Sequence, residues 1–375
     1  MSGAPSVERE LSLSHTAYVT FAFTLPLMAA AVLEAAVALL SDVWSRGRLV
    51  VLGQASLAAS LLFAASTRSA WGLALSLALA GTSSGVACGG AQAMLVTSSD
   101  GGAERAMARW AVYSALGDVL TPLLTGGALA LGHSYRAAMA AIGIVVLVQC
   151  AFSMRSFWGR VQGEDADEEE PGADPLRIAI ARAMRIPRLW AWLFAAASCT
   201  LLDELVIALA ALRMVHDRAG GPAFATGAAV AFSIGVLVGA ATTDKLVARF
   251  SSRAILSVSA SLCVVAVLGL VATGSPIGCV LALFAAGVTA APHHPLAFAR
   301  AYDELPDYPG TVQAIAQVFV VVEVGAPLAL GLVADRLGLG AALACLLVQP
   351  VVVLALALAL SRRTGTSTPT AQPRE

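Results

Sequence analysis

Charge is what this sequence has least of. Only 13% of its 375 residues are Asp, Glu, Lys or Arg, where a soluble domain carries about a quarter. The 24 acids and 23 bases nearly cancel, so there is no basic field to attract nucleic acid, and none is expected as a partner. Its six cysteines (Cys88, Cys150, Cys199, Cys263, Cys279 and Cys345) each stand alone inside an apolar stretch. Without metal-ligand spacing they read as small buried hydrophobes, and neither a metal nor a cofactor is expected. No GxxxxGK[ST] loop occurs, which excludes direct drive by ATP. The opening MSGAPSVERELSLSH carries acids and no short apolar core, so no cleavable signal peptide is expected.

What is abundant is apolar length: 58% of the chain is hydrophobic. A helix crosses the hydrocarbon core with about 20 apolar residues. Eleven runs meet that length: 17–40, 48–66, 71–97, 107–131, 135–157, 189–212, 222–243, 253–272, 276–299, 311–334 and 339–360. One long interruption, 158–188, begins with an acidic run from Glu164 to Glu170. It ends in PLRIAIARAMRIPRLW, where Arg177, Arg182 and Arg185 alternate with Ile and Met as in a helix lying on a membrane surface. The expected fold class is all-α, a polytopic membrane protein of two pseudo-symmetric helical bundles with about 11 transmembrane helices. Its parts are an N-terminal bundle of five spans (1–157), a cytoplasmic linker with an amphipathic helix (158–188), a C-terminal bundle of six spans (189–361) and a disordered tail (362–375).

Numbering the gaps between spans alternately places 17 of the 23 basic residues on one side and 6 on the other. The positive-inside rule makes the richer side cytoplasmic. The C-terminus is then inside and the N-terminus outside, as in a bacterial inner membrane.

The two halves resemble each other. LGDVLTPLLTGGALALG (116–132) and VEVGAPLALGLVADRLG (322–338) align Asp118 with Glu323, Pro122 with Pro327 and Gly126 with Gly331. LLSDVWSRGR (39–48) and ATTDKLVARF (241–250) each set an Asp among bases after a span. Repeated halves are the mark of secondary transporters, whose site lies between the repeats.

On these residues the chain resembles the major facilitator superfamily, here with antiporter-like features. SDVWSRGR and TDKLVARF are similar to that family's cytoplasmic loop after its second and eighth helices. GDVLTPLLTGG is similar to the Gly/Pro-rich fifth helix of its antiporters, with Thr121 where that motif has Gly. The resemblance implies a gating role for Asp42, Arg46 and Arg48 and for Asp244, Lys245 and Arg249. It also makes the first span the family's second, so the usual first helix is expected to be absent. The fourth helix has no counterpart of the family's usual Arg.

Five acids lie within apolar spans: Glu34, Asp118, Asp203, Glu204 and Glu323. Each costs roughly 2.5–3.5 kcal/mol at the centre of an inserted helix, which makes each a candidate for function. Pro122 frees the carbonyl of Asp118, and Pro327 that of Glu323, so each half pairs a kink with an ionisable group. These two either exchange protons or are held protonated by a neighbouring helix. Asp203 and Glu204 sit about 100° apart, so only one faces a cavity squarely, and Glu204 is favoured. Glu34 lines a cavity or satisfies a neighbouring hydroxyl. His293 and His294, between Pro292 and Pro295, break the ninth span and are further candidates for cavity lining.

Together these features predict a proton-coupled secondary transporter, a monomer in the lipid bilayer, exporting a small neutral or cationic amphiphilic solute by alternating access. Uptake, coupled or facilitated, is the alternative. A membrane-embedded enzyme or assembly factor would need a convergent catalytic set, and only His293-His294 gestures at one.

Overall fold

In hydrocarbon a backbone must satisfy its own polar groups, so each apolar run is driven to be helical. The computed structural model describes residues 20–40, 44–99, 101–131, 134–164, 174–216 and 221–359. Asp42, the acidic residues 165–170 and the tail 362–375 lie outside them. Among the described residues every regular element is a helix.

A π-turn at Thr20–Thr24 leads into α1 (Leu25–Leu40), followed by α2 (Arg46–Ser66), α3 (Ala70–Ser98), α4 (Gly102–Ala130) and α5 (Tyr135–Glu164). The short α6 (Asp174–Ala183) precedes α7 (Pro187–His216), α8 (Gly221–Val247) and α9 (Ser252–Ala272). The last three spans are each broken in two: α10 (Pro276–Ala290) with α11 (His293–Glu304), α12 (Pro309–Ala316) with α13 (Val320–Leu337), and α14 (Leu339–Cys345) with α15 (Val348–Ala359). Among the described residues ten spans are long and apolar enough to cross a membrane, and they fall on ten of the eleven runs read from sequence. The eleventh run, 107–131, lies within α4, a helix of 29 residues.

The breaks have local causes. Pro292 and Pro295 cannot donate to the carbonyls four residues back, which ends α10 and restarts the chain as α11. Pro350 likewise leaves the Leu346 carbonyl, which the Gln349 N–H takes instead at 3.2 Å. Between α12 and α13 the residues Gln317–Phe319 form a 3₁₀ turn with no Pro or Gly to cause it. That break was not legible in the sequence.

Contacts divide the chain into one unit of Met1–Leu189 with Ala299–Val321 and a second of Trp190–Phe298 with Val322–Glu375. In the first, α3 packs on α1 and α2, and α2 packs on α5; α12 lies against α1, α3 and α6. In the second, α10 packs on α8 and α9, and α9 packs on α15. The pairings of α3 with its two partners are thus matched by those of α10 with its own.

Glycine sets the closest approaches. A Cβ at Gly235 would lie 2.4 Å from the Phe284 carbonyl oxygen, and one at Gly239 2.3 Å from that of Val288. In return, a Cβ at Gly287 would meet the Phe232 carbonyl at 2.4 Å. The α8–α10 pair therefore meets backbone to backbone, as small-residue motifs allow in membranes.

The turns into α3 and α10 are copies. Ser69 Oγ accepts from the Gly72 N–H, and Ser275 Oγ from the Gly278 N–H, both at 2.9 Å. Thr67 Oγ1 and Thr273 Oγ1 accept from the N–H groups of Ser69 and Ser275, both at 3.4 Å. Each Gly must lack a Cβ, which would sit 2.2 Å from the threonine hydroxyl. Thr-x-Ser-x-x-Gly is therefore a further trace of the repeat.

In each half an arginine from another helix also satisfies carbonyls at the end of the helix that leads into this turn. Arg136 donates to the Ala65 carbonyl at 3.1 Å and to that of Thr67. Buried Arg213 donates to Leu270 and Val271 at 2.9 and 2.7 Å. Arg213→Gln, which cannot span both carbonyls, should cost about 3 kcal/mol, since hydrogen bonds from a charged group are each worth about 1.5–3. The check is thermal unfolding of the purified protein against Arg336→Gln, an exposed position.

Candidate functional site

The first unit holds a small cavity between α1, α3 and the α12 break. It is lined by Glu34, Val37, Ala38, Leu49, Gly85, Val86, Gly89, Gly90, Gln313 and Gln317 and measures about 30 Å³, room for a water molecule. Glu34 is the only ionisable residue in that lining. The half-buried Glu34 reaches it because α3 offers glycine opposite: a Cβ at Gly85 would lie 2.3 Å from the Glu34 carboxyl carbon.

Gln317 Nε2 donates to Glu34 Oε2 at 2.8 Å. One turn earlier, Gln313 Nε2 donates to Gln92 Oε1 at 2.7 Å and contacts the Tyr302 hydroxyl at 2.6 Å. A carboxylate and three carboxamides thus share one stretch of the unit. An ionised carboxylate only accepts, which suits the amide nitrogen facing it; protonation adds a donor, which suits the amide oxygen. Turning over the Gln317 amide is therefore enough to follow the charge state of Glu34.

Sequence reasoning passed over Gln92, Gln313, Gln317 and Tyr302. The signal was present: Gln313 and Gln317 stand at i and i+4, on one face of a mostly apolar span.

The remaining candidates fall in both units. Asp118 is exposed on α4 of the first unit, in the helix that also contains Pro122 and Gly126. In the second unit Asp203 is exposed on α7, which also contains Glu204, and Glu323 is exposed near the start of α13. Pro327 lies inside α13, four residues before Gly331.

Among the loop residues, Arg46 Nη1 donates to Thr97 Oγ1 at 3.3 Å, tying the start of α2 to the end of α3, and Arg48 is exposed. Asp244 is half-buried, with Lys245 and Arg249 exposed. Ion pairs among the described residues of the first unit include Arg300 with Glu104 at 3.0 Å and with Asp303 at 3.7 Å, and Arg182 of α6 with Asp307 at 3.3 Å. The α6 surface packs Ala179 and Ala183 inward and leaves Ile180 and its arginines exposed, as is Met184 just beyond it.

His293 is fully buried in the second unit. Gln349 Nε2 donates to its Nδ1 at 2.9 Å, so its Nε2–H donates to Ser259 Oγ at 3.1 Å. The same amide nitrogen reaches Cys199 Sγ at 3.4 Å. Two helix breaks make this network: Pro292 places the histidine and Pro350 the glutamine. His294 lies beside Phe298, ring centroids 5.3 Å apart. Among the described residues no group of three His, Cys, Asp or Glu could hold a metal ion.

The sequence model of the Major Facilitator Superfamily matches residues 1–330. This chain belongs to that superfamily. It is an all-α, multi-pass integral membrane protein of a family of secondary transporters. Solved structures share the fold. One is the transporter FucP in the outward conformation, with 16% identity, a TM-score of 0.62 and 95% of each chain covered. FucP is elsewhere described as a fucose:proton symporter of E. coli. A second is the proton:xylose symporter XylE, at 12% identity and TM-score 0.72, covering 95% of this chain and 90% of that one. A third is the human organic anion transporter MFSD10, at 15% and 0.61, covering 95% and 88%. No curated protein matches.

Proposed function

We propose that this chain is a proton-coupled secondary transporter in which Glu34 binds and releases the coupling proton. The observation that carries the reading is the Glu34–Gln317 hydrogen bond inside a water-sized cavity. A carboxyl group in an apolar span is costly and is kept where it has work to do. The carboxamide beside it can follow either charge state. Proton coupling in the similarly folded fucose and xylose symporters is in keeping with this role.

The solute is a small neutral or cationic amphiphile, because the spans carry too few cations to attract an anion. Export is the direction favoured, on the antiporter-like pattern from Asp118 through Pro122 to Gly126. Asp118 and Glu323 take part in the same cycle, with Glu204 and Asp203 at its margin. Pro122 and Pro327 supply equivalent kinks, and the Asp42 and Asp244 loops gate the cytoplasmic side. The protein works as a monomer in a bacterial inner membrane. Its bundles are 1–157 and 189–361, built as repeats of one another; the matched pairings of α3 and α10 and the two copied turns support this division.

The test is transport by the purified protein in proteoliposomes, with ethidium as a cationic amphiphile and with and without an imposed pH gradient. Uphill movement only with the gradient is expected, outward relative to the cell. Equal flux under both conditions refutes the coupling, and uphill movement only in the opposite direction makes the protein an importer. Topology is checked separately with single cysteines at Ser6 and Ser367. Impermeant maleimide should label the first from outside the cell and the second only after permeabilisation.

A further inference from the structure

Successive helices α8 and α9 barely touch; each packs on α10, and a groove opens between them. It measures about 380 Å³, within the range of small-molecule sites. Its lining includes Gly239, Leu246, Phe250, Val258, Leu262 and Val288. Phe250, Val258 and Leu262 are each more than half exposed, so the groove opens outward from the unit. The polar side chains within it are already engaged: Thr242, Thr243 and Thr289 donate to carbonyls of their own helices, and Ser259 meets His293. The interior therefore offers an occupant apolar contact only.

One end is different. Leu246, Phe250 and Ala254 line the groove, and each directly follows a cation in the sequence: Lys245, Arg249 and Arg253. All three cations are exposed, and half-buried Asp244 is the one acid in the 244–253 stretch. An apolar slot with three exposed cations flanking the lining residues at one end is complementary to one acyl chain beneath an anionic headgroup.

We propose that this groove binds an anionic glycerophospholipid of the leaflet that meets the 248–251 turn. One acyl chain lies between α8 and α9, and its phosphate lies among Lys245, Arg249 and Arg253.

Lys245 is the only lysine in the sequence and reports on the site directly. The full-length protein is placed in nanodiscs of phosphatidylglycerol or of phosphatidylcholine with identical acyl chains. Acetylation of Lys245 by an impermeant amine reagent is followed by peptide mass spectrometry. Phosphatidylglycerol should slow it at least about fivefold, since one near-surface cation contributes about 1 kcal/mol with anionic lipid. Val258→Trp, at an exposed lining position, fills the groove without touching the cations. It should remove most of that slowing, whereas Val265→Trp, exposed on α9 but absent from the lining, should keep it. Native mass spectrometry adds a second reading. The parent should retain phosphatidylglycerol over phosphatidylcholine after delipidation, and Arg249→Gln with Arg253→Gln should abolish that preference. Equal acetylation rates in the two lipids, or slowing that survives Val258→Trp unchanged, overturns the proposal; the latter leaves only the general field of an anionic surface. A variant that elutes aggregated is replaced by Val258→Phe, with the same two outcomes.

Discussion

Glu34→Gln should abolish solute accumulation driven by a pH gradient while leaving solute exchange within about threefold of the parent. The substitution keeps the volume of the side chain and its contact with Gly85 but removes the charge that responds to protons. Gln317 can still hydrogen-bond to the new carboxamide, so the cavity at α1, α3 and the 3₁₀ turn keeps its shape. Coupled accumulation then has no proton to follow. Asp118→Asn and Glu323→Gln provide the comparison. Both side chains are exposed on their own units, whereas Glu34 meets the Gln317 amide within the cavity. If both variants lose accumulation as completely as Glu34→Gln, coupling is shared among the three acids. If Glu34→Gln still drives accumulation, Glu34 is a structural hydrogen-bond acceptor and the assignment of its role fails. Gly85→Ala gives an intermediate case. The new methyl meets the flexible end of Glu34 rather than backbone, so the carboxyl group should move aside and coupling weaken without loss of the fold.

Gly239→Leu should destabilise the second unit by more than about 3 kcal/mol, the upper part of the range for overpacking in a fixed core. The obstruction is the Val288 carbonyl and the backbone behind it, which no change of rotamer relieves. Thermal unfolding of the purified protein should drop by about 10 °C. The control is Gly269→Leu on α9, where a Cβ meets nothing within 4 Å and the residue is exposed. Its midpoint should stay within about 2 °C of the parent, because surface changes are usually worth less than about 0.5 kcal/mol. Equal midpoints for the two variants would mean that α8 and α10 can separate at little cost.

The spans were legible because the membrane leaves an apolar run no other way to satisfy its backbone. The break at Pro292 was legible for a similar reason, since a missing N–H cannot be restored by context. Glu34 was legible as a costly charge in an apolar run. What it bonds to was not, because Gln317 lies 283 residues away and Gln92 is 221 from Gln313. Pairing over such separations follows from packing, which composition does not encode. The symmetry of Asp118–Pro122 and Glu323–Pro327 fixed positions along helices but not the direction in which a side chain leaves them. The copied turn Thr67–Gly72 and Thr273–Gly278 was different: its pattern stands openly in the sequence. It draws no notice until the hydroxyls are seen accepting from the same N–H groups in both halves.

The three residues Gln317–Phe319 carry a geometric consequence of their own. A 3₁₀ turn advances about 120° and 2.0 Å per residue, where an α-helix advances about 100° and 1.5 Å. Over three residues the difference is about 60° of twist and about 1.5 Å of length. If this short turn relaxed to α geometry, everything C-terminal to it on the same rod would swing by a sixth of a circle and draw in slightly. Glu323 and Pro327 stand on that far portion, and Gln313 on the near one. A single 3₁₀ turn is thus enough to change which face of α13 is presented.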